Sequence, residues 1–213
     1  MMRTLMITCA LALLCGCASE PKPPVVTTAY EGLPLVTASH PRPPDFSAVT
    51  WTRTMMMNAP AGGREEVAEG NDLVAEFGVP DPARAISAAL ASALSSSLKT
   101  VPADASADGS GLVLDVVTDG WAFTYIGSDP AHYQVKYMGR ARLLHAADNG
   151  EIAAVPCRWE SNLKDAPTYD DLLAGRGALL KDMLASAAAD CAVAYHKQLL
   201  LAPALQQPAA PER

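Results

Sequence analysis

Residues 112–126 read LVLDVVTDGWAFTYI and residues 133–146 read YQVKYMGRARLLHA, and these two stretches decide the fold. Both are rich in β-branched and aromatic residues, and the turn-forming sequence GSDPAH separates them, so they predict an antiparallel hairpin. In the second stretch apolar and polar side chains alternate, which is typical of a strand with one buried face. The face that we expect to point inward consists of Tyr133, Val135, Tyr137, Gly139, Ala141 and Leu143.

One register of this hairpin satisfies burial and charge pairing together. When Ile126 lies opposite Tyr133, the apolar faces of the two strands meet, and Asp119 pairs with Arg140 on the outer face. The same register places Gly120 against a second glycine, at a point where the strands can bend strongly. We therefore expect this pairing for the whole hairpin.

Three aromatic rings follow Gly120, and the predicted register places them on the outer face. They are Trp121, Phe123 and Tyr125. Aromatic rings beside the cationic Lys136 suit a partner-binding surface, so these three residues are candidates for docking. The alternative is that the first strand bulges at Gly120 and turns the rings inward, or that another segment covers them. The sequence leaves both readings open.

Two further segments complete the predicted sheet. The turn 147–151 leads to a third antiparallel strand, in which Cys157 faces the core. Residues 48–55 alternate well enough to predict another strand. The triplet Met55-Met56-Met57 that follows is either an adaptable contact surface or the end of a strand under a loop.

Two helices are predicted to cover this sheet. The first begins at Asp81, an N-cap residue that is followed by Pro82 at the first helical position. Thr168 and Asp171 form a capping pair for a long last helix, in which Cys191 faces the core. The fold class is therefore α+β: an antiparallel sheet of three or more strands packed on one face by two helices, the second long and C-terminal.

Composition and charge limit the classes of function. The chain has 213 residues, half of them hydrophobic, which is enough apolar material for one packed core. Its formal net charge is −7. Nucleic-acid binders gain their affinity from clustered cations on phosphate, so we expect no nucleic-acid partner.

The N-terminus carries an export signal. A single cation, Arg3, precedes a short apolar run from Leu5 to Leu14. The run is too short to span a bilayer core, which needs about 20 apolar residues in a helix. It ends in Leu14-Cys15-Gly16-Cys17, so the first 17 residues resemble the leader and lipobox of a bacterial lipoprotein. The alternative is a conventional signal peptide in which both cysteines are ordinary small residues.

The resemblance implies a lipid anchor. Residues 1–16 would be removed as the signal peptide, and Cys17 would receive fatty acyl chains such as palmitate that bind the lipid bilayer. More than one chain is needed, because a single chain holds a protein only marginally. In Gram-negative lipoproteins the residue after the cysteine directs sorting, and Ala18 implies the outer membrane. We therefore expect a location in the cell envelope, on the periplasmic face of the outer membrane.

The rest of the chain divides by composition. Residues 17–46 are rich in proline and predict an extended tether. Residues 47–202 are long enough for a single α+β periplasmic domain. Residues 203–213 contain three prolines and predict a disordered tail.

Two cysteines of the mature chain are predicted to pair. Once Cys17 is acylated, Cys157 and Cys191 are the remaining thiols, and both face inward in the predicted elements. The envelope is oxidising, so we expect a disulfide between them. The alternative is two buried free cysteines that are too far apart to join.

No familiar catalytic or cofactor motif is found in the sequence, and we expect no cofactor. Asp115 and Asp119 share a strand face and could hold a cation, but Arg140 and Arg142 opposite them favour an ion-pair ladder. The four histidines are scattered along the sequence and do not have the spacing of metal ligands, so we expect surface or structural roles for them. They are His40, His132, His145 and His196.

These observations favour a membrane-anchored envelope lipoprotein whose domain docks on an envelope protein and catalyses no reaction. The alternatives are a small envelope hydrolase, or a ligand-binding lipoprotein with a pocket between sheet and helices. A pocket in which polar side chains with shifted pKa values converge would favour the alternatives. A flat apolar patch around Trp121 would favour docking.

Overall fold

The computed structural model describes residues 30–42, 44–57, 63–103 and 110–202. The predictions for the leader, Cys17, the first part of the tether and the tail concern residues outside this set. In chain order the elements are β1 (Pro34–Thr37), β2 (Phe46–Val49), α1 (Trp51–Met57), α2 (Arg64–Phe77), α3 (Pro82–Leu98), β3 (Val101–Pro102), β4 (Leu112–Ile126), β5 (Asp129–His145), β6 (Glu151–Glu160), a 3-10 turn (Leu163–Asp165) and α4 (Tyr169–Leu201).

The described strands form one mixed sheet in the order β3-β1-β4-β5-β6. β4, β5 and β6 are antiparallel neighbours, as predicted. β1 instead pairs in parallel with both β3 and β4, and β2 pairs in parallel with a more distant part of β4. The α+β class is therefore confirmed, but the prediction of a purely antiparallel sheet is wrong.

The strand β1 and the first residue of β2 lie in the region 17–46, which was expected to be a tether. Leu35 in β1 and Phe46 in β2 are both buried in the core, so the domain begins before the predicted boundary at residue 47. Pro34 opens β1, a strand position at which a missing N–H group is tolerated. Pro34 therefore does not prevent pairing, and residues 34–37 and 46 belong to the folded domain.

The strand predicted for residues 48–55 is shorter than expected. β2 ends at Val49, and the helix α1 begins at Trp51. The N–H group of Thr54 donates to the carbonyl of Thr50 at 3.1 Å, which closes the first helical turn. The alternation of side chains did not distinguish this short helix from a continued strand.

A bulge in β4 changes the predicted hairpin register. Before the bulge Thr118 lies opposite Gly139, and after it Gly120 lies opposite Met138, so Asp119 has no partner across the ladder. Side chains alternate along a strand, so one extra residue moves every later side chain to the other face. Trp121, opposite Tyr137, is therefore on the inner face.

The two predicted helices lie where they were expected. Asp81 caps α3 by accepting from the N–H group of Ala83 at 2.9 Å, and Thr168 forms a capping box with Asp171 at the start of α4. Both helices pack on the sheet and on each other around one core. The backbone of α4 leaves helical geometry from Ala174 to Gly177.

The helix α2, for which the sequence analysis made no prediction, lies directly on β2. A Cβ atom added to Gly70 would lie 2.1 Å from the carbonyl oxygen of Phe46, so only glycine permits this approach. Next to it, Asn71 accepts from the N–H group of Phe46 at 2.9 Å. α2 therefore covers the open edge of β2 and satisfies one of its backbone donors.

We expect Gly70→Ala to lower the free energy of unfolding by about 3 kcal/mol, because the added methyl group must displace backbone atoms. Urea denaturation followed by circular dichroism would measure the change. Gly127→Ala is the matched control, since a Cβ atom there meets nothing within 4 Å. Equal stability of the two variants would contradict the close packing of α2 on β2.

Candidate functional site

The sheet has a gap along one edge of β4. β1 pairs with Leu112–Leu114 and β2 pairs with Trp121–Thr124, so no described strand pairs with this edge from Asp115 to Gly120. The connection between β1 and β2 crosses the gap. It is held at both ends, because the N–H group of Ala38 donates to Leu114 at 2.8 Å and Trp121 Nε1 donates to the carbonyl of Pro44 at 3.1 Å.

On the open face of the sheet, three side chains converge at this gap. The carboxylate of Asp115, whose residue is only 4% exposed, accepts from Arg142 Nε at 3.0 Å and lies 2.6 Å from His40 Nε2. Burial raises the pKa of Asp115, but the hydrogen bonds with His40 and Arg142 outweigh it and hold this pKa below its usual value. The carboxylate is therefore kept charged and fixes the His40 ring.

On the inner face, a second polar group joins α3 to β4. Thr118 Oγ1 donates to Asp81 Oδ1 at 2.6 Å, and the hydroxyl of Tyr137 lies 3.3 Å from Thr118 Oγ1. Burial raises the pKa of Tyr137 to about 12, although the hydrogen bond with Thr118 opposes this. Polar side chains therefore line the gap on both faces of the sheet.

Two clefts meet at His40. The inner cleft, of about 410 Å³, lies between α3 and the β1–β2 connection and is also lined by Arg84 and Ser87. The outer cleft, of about 370 Å³, is also lined by Asp115 and Arg142. His40 thus separates two concave spaces on opposite sides of the gap.

The inner cleft contains polar groups without a partner among the described residues. The hydroxyl of Ser87 is buried and makes no hydrogen bond there, which is unusual for a buried polar atom. Arg84 is exposed and forms no ion pair within the described ranges. Asp81 is occupied as the cap of α3 and as the acceptor for Thr118. The cation of Arg84 is therefore free to meet a ligand, and a buried hydroxyl without a partner lies beside the same cleft.

The ion pairs that the sequence favoured over a cation site are present. Asp115 is paired with Arg142, and Asp119 lies 2.9 Å from Arg140. The described part of the chain contains no group of three or more His, Cys, Asp or Glu side chains that could hold a metal ion.

The predicted docking surface is wrong for two of its three residues. Trp121 and Phe123 are buried, at 3% and 0% exposure, and Tyr125 is half-buried. The bulge turned them inward, which was the alternative considered for them. The exposed aromatic residue is Trp51, whose ring packs edge-on against Tyr125 with centroids 5.3 Å apart.

The disulfide predicted between Cys157 and Cys191 is present. It joins β6 to α4 with a Cα–Cα distance of 5.8 Å. The alternative of two distant free thiols is thereby excluded. The bond closes a loop of 34 residues and links the last strand to the helix that covers the sheet.

Three of the four histidines have structural contacts. His132 pairs with Asp129 in the hairpin turn, and His196 lies 2.9 Å from Ser97 Oγ, between α4 and α3. His145 packs against Tyr30. His40 contacts Asp115 as well, and it differs from the other three because it also lines both clefts. No local pattern indicated this role, since His40 lay in the predicted tether and its partner Asp115 is 75 residues away.

Comparison with known proteins gives no family. No family model matches the sequence, and no curated protein matches it. Three solved structures are similar in part. A candidate lipoprotein from Caulobacter crescentus is 11% identical, with 65% of this chain and 99% of that chain covered and a TM-score of 0.36. Protein XCC0632 from Xanthomonas campestris is 13% identical, with coverages of 87% and 89% and a TM-score of 0.37.

The third structure is lipoprotein GNA1162 from Neisseria meningitidis. It is 14% identical, with 76% of this chain and 99% of that chain covered and a TM-score of 0.27. Scores this low assign neither a family nor a function to the present chain. The proposals below therefore rest on its own residues.

We expect Asp115→Asn to lower the free energy of unfolding at pH 7 by about 1.5–3 kcal/mol, because charged hydrogen bonds to His40 and Arg142 are lost. The folded-state pKa of Asp115 is lowered, so its stabilisation is full above the unfolded-state pKa and disappears as the pH falls through the folded-state value. The difference between wild type and variant should therefore shrink below about pH 4.

Urea denaturation at pH 7 and pH 3 would measure this difference. Asp119→Asn is the control, because its ion pair with Arg140 is exposed and should contribute less than about 1 kcal/mol. A destabilisation by Asp115→Asn that is as large at pH 3 as at pH 7 would refute the charged role of Asp115.

Proposed function

We propose that this protein is a lipid-anchored lipoprotein of the cell envelope whose domain binds a small anionic ligand at the gap in its sheet. The anchor would be acylated Cys17, on the periplasmic face of the outer membrane. The ligand would carry a carboxylate or phosphate group. The observation that carries the proposal is the convergence of Arg84, Ser87 and His40 on one inner cleft.

Two features support the envelope location. The leader and lipobox predict export and acylation, as described above. The Cys157–Cys191 disulfide suits an oxidising compartment such as the periplasm. In the part of the chain that the structure describes, no helix has both the length and the apolarity needed to cross a bilayer.

Ligand binding is supported by the chemistry of the inner cleft. Its volume of about 410 Å³ is within the range of small-molecule sites. The unpaired guanidinium of Arg84 can bind an anionic group, and the buried Ser87 hydroxyl gains a partner when a polar group enters. Asp115 holds His40 in place between the clefts, so part of the site is rigid before a ligand arrives.

The hydrolase alternative has less support. A serine nucleophile needs a base within hydrogen-bond reach. Ser87 and His40 line the same cleft, but the Ser87 hydroxyl makes no hydrogen bond with any described residue. Binding is therefore the function that this geometry supports best.

We expect acetate to bind saturably in the inner cleft, whereas acetamide, its neutral analogue of similar shape, should not. Titration of the ¹⁵N-labelled protein would show shifts at the amide groups of Arg84 and Ser87. Arg84→Gln should weaken binding at least about fivefold, because a charged partner is lost. Arg64→Gln, on exposed α2, is the control. Equal shifts with acetamide would contradict the proposal.

Cys17→Ser should abolish labelling of the protein by radioactive palmitate and release it from the membrane fraction, because the acyl chains are the proposed anchor. Metabolic labelling and sedimentation of cell fractions would measure both effects. Cys15→Ser should keep the label, since that residue is removed with the signal peptide. Unchanged labelling or sedimentation of Cys17→Ser would refute lipid anchoring.

A further inference from the structure

An exposed apolar surface lies at the end of the domain where β2 leads into α1. Trp51 is 36% exposed and Met55, one helical turn later, is 54% exposed. The half-buried ring of Tyr125 supports Trp51 from the sheet. We call Trp51, Met55 and Tyr125 the α1 surface. Tryptophan is enriched among residues that dominate binding energy, and methionine adapts to varied partners.

The α1 surface is held firmly by ionic contacts behind it. Arg53 Nη2 lies 3.0 Å from Glu69, and Arg53 Nη1 lies 3.8 Å from Glu65, both on α2. The hydroxyl of Tyr169, at the start of α4, donates to Glu69 at 3.3 Å. α1 is thus fixed to α2, and α2 is fixed to α4. A partner would meet a surface that is already ordered, which reduces the entropic cost of binding.

The helix that contacts α1 from behind, α2, is negatively charged as a whole. α2 carries five carboxylates and one arginine. Glu65, Asp72 and Glu76 are exposed on it, and the nearest cation of α1, Arg53, is already shared between Glu65 and Glu69. An apolar surface with an acidic border is complementary to an apolar segment with basic residues at its edge.

The α1 surface lies at the opposite end of β4 from Tyr30, the first residue that the structure describes. The described chain begins at Tyr30, whose ring packs on His145. His145 lies opposite Leu112, at the start of β4. Tyr125 lies 13 residues further along β4, which is about 43 Å at about 3.3 Å per residue. The segment 17–29 would span about 40 Å at about 3.1 Å per residue. A tether of this length would therefore allow the domain to stand with the α1 surface away from the anchoring bilayer.

We propose that the α1 surface is a docking site for a basic, amphipathic segment of another envelope protein. The proposal rests on the proposed envelope location and is independent of the ligand cleft. The segment would place its apolar residues on Trp51 and Met55 and its Lys or Arg residues beside the carboxylates of α2. It is a different surface from the buried rings of Trp121 and Phe123.

Two synthetic peptides test the chemistry. Both form amphipathic helices with the same leucine face, and their polar faces carry lysine in one and glutamate in the other. Fluorescence polarisation would measure binding of each labelled peptide to the mature chain with Cys17→Ser, so that acyl chains do not interfere. We expect the lysine peptide to bind at least tenfold more tightly than the glutamate peptide.

Variants distinguish binding at the α1 surface from unspecific attraction of the lysine peptide to a negatively charged protein. Trp51→Ala, with its charge unchanged, should weaken binding of the lysine peptide at least tenfold. Leu163→Ser removes an equally exposed apolar side chain elsewhere and should have no effect. Circular dichroism would confirm that Trp51→Ala is folded, and Met55→Ser provides a second, milder variant. The proposal would be overturned if Trp51→Ala and Met55→Ser both bound the lysine peptide as tightly as the unsubstituted surface does. Equal affinity of the lysine and glutamate peptides would overturn it as well.

Two further experiments test other possible ligands of the α1 surface. Vesicles of phosphatidylcholine with phosphatidylglycerol test a bilayer, and their Trp51-dependent binding to the non-acylated chain would assign the surface to lipid and overturn the proposal. In cells, a photo-crosslinking residue at the exposed position 52, beside Trp51, should join the protein to a peptide rich in Lys or Arg, and an acidic or lipid adduct would overturn the proposal. Neither result depends on the acetate titration, and failure of the envelope location would appear separately in the palmitate experiment.

Discussion

The single extra residue in β4 is the constraint on which the architecture depends. Because Asp119 has no partner in the backbone ladder with β5, the side chains after it change face, and Trp121 and Phe123 enter the core. Their rings meet Phe46 edge-on at 5.0 and 5.8 Å, which fixes β2 beside the far half of β4. Without the bulge these rings would face solvent, and β2 would have no aromatic cluster to pack against.

The gap in the sheet follows from the same arrangement. β1 and β2 pair with separate parts of one strand, and the connection between them must cross the unpaired edge from residue 115 to 120. Asp115 is buried there, and a buried carboxylate is stable only with charged or hydrogen-bonding partners. His40 from the connection and Arg142 from β5 supply them. The polar site is thus a consequence of the pairing of two short strands, β1 and β2, with separate parts of the long strand β4.

Local signals in the sequence predicted the elements whose causes are local. The N-cap Asp81, the capping box at Thr168 and the alternation of β5 each depend on neighbouring residues, and each is present in the structure. The disulfide could be predicted because few thiols remained to pair. The register could not, because apolar burial and charge pairing favoured an unbulged ladder. In the structure Asp119 still reaches Arg140, although the ladder around it has shifted.

The remaining errors arose where the decisive contact is distant in sequence. β1 looked like tether because its prolines are visible locally, whereas its partner Leu112 lies 77 residues later. α2 packs Leu73, Val74 and Phe77 against the core, but its closest approach is that of Gly70 to the backbone of β2, a contact that hydrophobic periodicity does not reveal. His40 became part of a site only through its pairing with Asp115, and no spacing rule relates those two residues.

The contacts of the β1–β2 connection also limit how the site can respond to a ligand. Ala38 is bonded to β4 on one side of His40, and Pro44 accepts from Trp121 on the other. A ligand that displaces His40 can therefore move only the few residues between these two points, unless a backbone bond or the Trp121 contact breaks. Breaking the Trp121 contact would loosen the start of β2 and the α1 surface behind it. One hydrogen bond, from the indole of Trp121 to the carbonyl of Pro44, thus lies between the ligand cleft and the α1 surface. The bulge in β4 is what places this indole inside the core.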